Sequence, residues 1–249
     1  MLTPPEIARS LLAAGESKAR LPFGKMLLLA ILAGAYIALA VTVESGSLAK
    51  LLSACVFPAG LSMVILAGSE LFTGNCLMVM ALLERRITPA QLLRNWLTVY
   101  LGNAMGGAAV AALAVYSHTA SLFGDGLARS MVSIAESKAA LGAGDAFLRG
   151  VLCNFLVCLA VWMAAASKRA EGKVIALFFP ILLFVLCGYE HCIANLYYLP
   201  AGAFAAAEYG VETTLTLAGC LENLAAVTLG NLVGGAALGV GYRFAYLKE

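Results

Sequence analysis

Three residues in the string Gly188-Tyr189-Glu190-His191-Cys192-Ile193-Ala194-Asn195 could handle a proton or an anion: Glu190, His191 and Asn195. They sit inside an apolar stretch from about Val174 to Leu199. Ionisable groups in such a setting are costly, and they mark function by default. Histidine is the side chain whose ordinary pKa suits giving and retaking a proton near neutrality. A competing reading is a polar packing contact between helices. A second string, Gly68-Ser69-Glu70-Leu71-Phe72-Thr73-Gly74-Asn75, repeats the glycine, glutamate and asparagine 120 residues earlier. Packing alone does not account for one order of residues recurring in two apolar segments.

The elements that must position these strings are membrane helices. With 62% hydrophobic and 12% charged residues, the 249-residue chain is a membrane protein, and a net charge of +2 gives no reason to invoke nucleic acid. The seven cysteines form no C-x-x-C pair and read as small buried hydrophobes. The two histidines, His118 and His191, are far apart, so neither a metal nor a cofactor is expected. Thr3-Pro4-Pro5-Glu6 is a capping box that opens a short amphipathic helix within residues 1–25. That helix is expected to lie in the membrane interface or to cover a neighbouring subunit. The leader is too long and too acidic for a cleaved signal peptide.

A spanning helix needs about 20 apolar residues. Met26–Val43, Leu92–Tyr116, Phe147–Ala166, Val174–Leu199 and Leu221–Tyr242 each supply one. Leu51–Leu83 is too long for a straight span and carries one charge, which predicts a break near Gly68–Gly74 lining a cavity. The fifth segment predicts the same at Gly188. The motif Leu101-Gly102-Asn103-Ala104-Met105-Gly106-Gly107 recurs as Leu229-Gly230-Asn231-Leu232-Val233-Gly234-Gly235, pairing segments two and three with five and six. Three spans per copy make the second copy insert upside down. The expected fold is therefore an all-α membrane protein with six transmembrane helices in an inverted 3+3 repeat, helices two and five broken. Its parts are residues 26–116 and 147–242, an outer connecting loop at 117–146 and a tail at 243–249. Twelve of the sixteen Lys and Arg residues fall on the side of the termini, leaving Lys50, Arg129, Lys138 and Arg149 opposite, so both termini are expected in the cytoplasm.

At these residues the chain resembles the formate/nitrite transporter family. The matching stretches are Gly68–Gly74, Asn154–Met163, Gly188–Asn195 and Val227–Asn231, of which Glu-His-x-Ile-Ala-Asn is the specific one. The resemblance implies a homopentamer of aquaporin-like protomers in a bacterial or archaeal inner membrane, each with a pore for small monovalent anions. Formate, nitrite, hydrosulfide and lactate are the substrates it implies. By position, it makes His191 the central histidine, Thr73 the threonine of the first break and Lys138 the lysine of the outer vestibule. Asn154 and Asn231 become polar partners that hold the anion or orient the imidazole. Phe57, Leu61, Phe72 and Phe184 become apolar constrictions, not assigned between an inner and an outer slit.

The physics points the same way. An anion loses several kcal/mol on entering a dry constriction, and a weak acid avoids most of that by crossing protonated. His191 is expected to exchange that proton, and Glu190 to hold backbone donors freed by the break. The aromatic run Leu196-Tyr197-Tyr198-Leu199-Pro200 looks closer to formate-type members. A pore for neutral solutes remains an alternative. A hydrolase does not fit, since Gly-x-Ser-x-Gly and His-Glu-x-x-His are both absent.

Overall fold

The computed structural model describes residues 1–41 and 49–247. The expected end of the first span at Val43 and the tail lysine Lys248 lie outside them. Among the described residues there is no strand. Twelve helices follow in order: α1 (Pro4–Ala19), α2 (Phe23–Val41), α3 (Ala49–Val56), α4 (Pro58–Ala67), α5 (Phe72–Asn75), α6 (Val79–Leu83), α7 (Pro89–Tyr116), α8 (Gly126–Ala139), α9 (Ala143–Ala165), α10 (Ala170–Leu186), α11 (Cys192–Tyr209) and α12 (Leu217–Tyr246). Four of them (α2, α7, α9 and α12) are long and apolar enough to cross a membrane. Ala54–Ala67 and Phe72–Leu83 form a bent pair at 63° and make a fifth span if counted as one.

Both expected breaks are present, and their causes match. Gly68 and Gly188 have φ of 71° and 68°, where a side chain is strained, and each stops a helix in the left-handed region. Beyond each glycine the chain runs extended for a few residues and re-enters a helix at Phe72 or Cys192. The N–H groups of Ser69 and Tyr189 return to Val64 O and Phe184 O. Those of Glu70 and Glu190 reach across to Leu29 O and Arg149 O. Every one of these pairs is related by the offset of 120.

The long helices pack in two close pairs, α2 with α7 and α9 with α12. A Cβ added at Gly34 would meet the Asn103 backbone, and one at Gly106 the Ile31 carbonyl. Gly230 and Gly234 stand in the same relation to the carbonyls of Phe147 and Val151. Small residues let the backbones approach because, in lipid, close packing drives helix association. Thr88 opens α7, accepting the Gln91 N–H at 3.2 Å, and Thr216 opens α12, accepting the Gly219 N–H at 3.1 Å.

The connecting segment at 117–146, expected as a loop, holds a helix at Gly126–Ala139. It is α8, which packs against α11 through buried Leu127, Ala128, Met131, Val132 and Ala135. Its counterpart at the offset of 120 is α1, which buries Ile7, Ala8, Leu12 and Gly15. The helix α1 lies on its own chain beside Met78, Met80, Trp162 and Ala166. The Lys138 carbonyl at the end of α8 accepts from Asn223 near the start of α12. At the far end of α12, Arg243 pairs with Glu84 at 2.8 Å, and Tyr242 and Tyr246 join the cluster that seats α1. Asn223 and Arg243 stand twenty residues apart, about 30 Å along the helix, so α8 and α1 lie toward opposite ends of α12.

Candidate functional site

Each break is held by one fully buried asparagine from a long helix. Asn103 Oδ1 accepts the Phe72 N–H at 3.0 Å, while its Nδ2 donates to Ala30 O and Glu70 O. Asn231 does the same for the second break, with the Cys192 N–H at 2.9 Å, Gly150 O at 2.8 Å and Glu190 O at 2.9 Å. Buried polar backbone at this depth has to be satisfied within the protein. These two side chains satisfy it. Asn231 therefore has both N–H groups committed to backbone and none left to hold an anion.

Outside each asparagine lies a buried chain of charge and amide. Lys18 Nζ donates to Glu70 Oε1 at 2.8 Å, and Glu70 Oε2 accepts from Asn75, which also donates to Asn95 Oδ1. The second copy runs Lys138, Glu190, Asn195 and Asn223, with the ammonium at 3.0 and 3.1 Å from the two carboxylate oxygens. Glu190 thus takes a cation and a side-chain amide, and the backbone donors it was expected to hold go to Asn231 and His191 instead. Lys138 is largely buried and also lies 4.9 Å from the centroid of the Tyr198 ring. It borders the vestibule, but its charge is compensated. Lys18, Asn95 and Asn223 do not stand out as site residues in the sequence. Carrying the two offsets outward, 120 for the lysine and 128 for Asn95 and Asn223, would find them.

The scaffold repeats, but the chemistry does not. His191 falls where the first copy has Leu71, and Thr73 where the second has Ile193. Thr73 Oγ1 and His191 Nε2 are 3.0 Å apart and buried. His191 also caps α11, its Nδ1 accepting the Ala194 N–H at 3.1 Å. A neutral ring that accepts at Nδ1 carries its proton on Nε2, where it donates to Thr73. The Thr73 hydroxyl proton is then left for a further acceptor. Asn154 makes no hydrogen bond to the ring. Its amide donates to Thr73 O at 3.2 Å and Asn231 O at 2.7 Å, and Cys158 adds a thiol to the same Thr73 carbonyl. Asn154 positions Thr73 and reaches His191 only through it.

Two cavities approach this pair. One of about 690 Å³ opens beneath α1 and is lined by Lys18, Leu61, Val64, Glu70, Leu71 and Gly74, among others. The other, about 290 Å³ beside α8, is lined by Phe57, Lys138, Arg149, Phe184, Glu190 and His191, among others. Phe57 and Phe184 meet edge to face at 5.2 Å, and Phe184 stacks on the His191 ring at 5.9 Å. Those two phenylalanines line the α8 side, and Leu61 lines the α1 side. Phe72 lines neither cavity. Its ring packs against Tyr100 at 5.1 Å and Trp96 at 6.4 Å, because the N–H held by Asn103 turns the start of α5 that way. Among the described residues, no group of three or more His, Cys, Asp or Glu side chains is placed to hold a metal ion.

The family model described as formate/nitrite transporter matches residues 5–245. The chain belongs to that family. It is 39% identical to the "Probable formate transporter" of Methanothermobacter thermautotrophicus, over 99% of this chain and 98% of the relative. It is 38% identical to the "Formate channel FocA" of Haemophilus influenzae, over 86% of this chain and 84% of the relative. Among solved structures, one titled "FNT family ion channel" superposes with a TM-score of 0.87 at 31% identity, covering 96% of this chain and 98% of that one. Another, a "Pentameric formate channel with formate bound", gives 0.79 at 33% identity, covering 91% and 98%. The formate/nitrite transporter family is one of transporters and channels, not of enzymes.

Proposed function

We propose that the chain is a membrane channel for small monovalent anions, formate foremost, that passes the weak acid as a neutral molecule at the Thr73–His191 pair. The observation that carries this reading is that pair, buried at 3.0 Å between two cavities that open at opposite ends of the fold. The formate-channel relatives support the substrate, and the pentameric neighbour supports a homopentamer with one pore per protomer. The duplicated hydrogen bonds support an inverted repeat of six spans, widened to begin at α1 and α8. In this reading the α1 mouth is cytoplasmic, as the lysine and arginine bias indicates. The same pore would admit nitrite, hydrosulfide or lactate to the extent that size and basicity allow.

The geometry gives the proton a route. An anion that reaches the Thr73 hydroxyl stabilises the imidazolium by its charge. Nδ1 then takes a proton from the α8-side cavity and releases the Ala194 N–H. The Nε2 proton passes over Thr73 Oγ1 to the anion, which departs as the neutral acid and leaves the ring neutral with its proton on Nδ1. Uptake of a proton at Nε2 and release of the one on Nδ1 restore the resting tautomer and its bond from the Ala194 N–H. His191→Asn tests this cleanly because asparagine also caps helix N-termini. The variant should assemble normally and lose the pH-dependent part of formate uptake in proteoliposomes. A folded His191→Asn protein with the parent's rate and pH profile would overturn the proton step.

A further inference from the structure

The cation that collects anions at the α8 mouth is not the vestibule lysine. We propose that Arg149 is the anion-capturing residue of that mouth, an inference that rests on the channel reading above.

Three observations lead there. The α8-side cavity has two basic residues in its lining, Lys138 and Arg149. Lys138 sits 3.0 Å from Glu190 with its side chain only 14% exposed, so seen from the mouth the pair is a dipole and not a charge. Arg149 is exposed in the second turn of α9. No ion pair of 4.0 Å or less involves its guanidinium among the described residues. Asp145, one turn earlier on the same helix, is the nearest acid along α9 and forms no such pair with it.

The repeat adds a second line of support. At the offset of 120 the lysine, glutamate and asparagine of the buried chain are all matched, as befits parts that hold the breaks. Arg149 is matched by Leu29. Both residues give the same backbone carbonyl to the break, accepting from Glu190 N and Glu70 N. What differs is the side chain alone. The copies also part company at Thr73 against Ile193 and at His191 against Leu71, the two positions that form the buried pair. Arg149 belongs with them. An uncompensated guanidinium at the rim of a low-dielectric funnel concentrates anions by focusing its field, and it offers a carboxylate two parallel donors.

The test is formate flux into cells or proteoliposomes at about 10 mM and at about 150 mM ionic strength, where the screening length falls from roughly 30 Å to 8 Å. Arg149→Gln should raise the half-saturating formate concentration about threefold to tenfold at low salt, leave the maximal rate unchanged and flatten the salt dependence. Arg149→Lys should restore the salt dependence. In Arg149→Cys, a cationic methanethiosulfonate reagent should recover flux and an anionic one should depress it. The parent chain, whose Cys55 and Cys187 are also exposed, serves as the control. An Arg149→Gln variant with the parent's half-saturation and salt dependence overturns this inference. A parent chain that carries no formate at all overturns the channel reading instead, so the two failures are distinguishable.

Discussion

Replacing Lys138 with methionine separates its structural role from any electrostatic one. Methionine keeps the apolar stem against Tyr198 and removes the ammonium. What remains is a Glu190 carboxylate, 8% exposed, with one amide donor at 2.7 Å from Asn195. Breaking a buried pair by deleting one partner costs about 3–5 kcal/mol, mostly because the surviving charge is stranded. At about 2–4 °C per kcal/mol for a chain of this size, the midpoint of thermal unfolding in detergent should fall by about 6–20 °C. Lys138→Met with Glu190→Gln removes both charges and keeps an acceptor for Asn195. The double variant should recover most of the loss, giving a coupling energy of at least about 2–3 kcal/mol. Lys18→Met should do less, since the Lys18 side chain is 30% exposed and its pair is better solvated. A Lys138→Met protein that unfolds within a degree or so of the parent, or a double variant that merely adds the two single losses, refutes the claim that this pair holds the break.

Asn231→Leu strands the buried Cys192 N–H and should cost about 1–3 kcal/mol, seen as a lower unfolding midpoint together with loss of flux. Gly234→Ala drives a methyl onto the Val151 carbonyl and should prevent stable α9–α12 packing, measured as loss of folded protein after detergent extraction. Gly241→Ala, with nothing within 4 Å, should instead be neutral or stabilise by about 0.5–1 kcal/mol. Glu136 is held below the usual carboxylate range by the Thr214 N–H, then by the hydroxyl of Thr213. Its contribution is therefore present above the unfolded value and lost as pH falls through the lowered one. The protection of the Thr214 amide against hydrogen exchange, corrected for the intrinsic rate at each pH, should hold through mildly acidic pH and fall only below the ordinary carboxylate range.

Both breaks are legible in the sequence because glycine and glutamate are each costly in the middle of a straight membrane helix, so finding them together marks its interruption. The close helix pairs are legible from glycines at helical spacing. The α8 helix is hidden because Arg129, Glu136 and Lys138 dilute its hydropathy, so hydropathy reads it as a loop. Its buried face emerges only beside that of α1. Asn231 reads as a group facing substrate because a buried amide looks the same in sequence whether it holds backbone or ligand. Which of these it holds depends on where the Cys192 N–H points, and that is fixed by the α11–α12 packing. Phe72 reads as part of a slit for a similar reason, since the sequence shows an aromatic at a break but not the direction its backbone anchor turns it.

The Tyr100 hydroxyl and Thr228 Oγ1 are 3.0 Å apart and related by the offset of 128, so each touches its own counterpart across the join of the two halves. The α2–α7 and α9–α12 pairs mesh backbone to backbone and resist sliding, since any shift drives a carbonyl into a neighbouring helix. If the halves move against each other at all, compliance has to be found at this seam. A crosslink installed between positions 100 and 228 would act as a latch on such motion while leaving a static pore untouched. The joint between the copies, rather than either copy, is where conductance by rocking and conductance by side-chain rotation part ways.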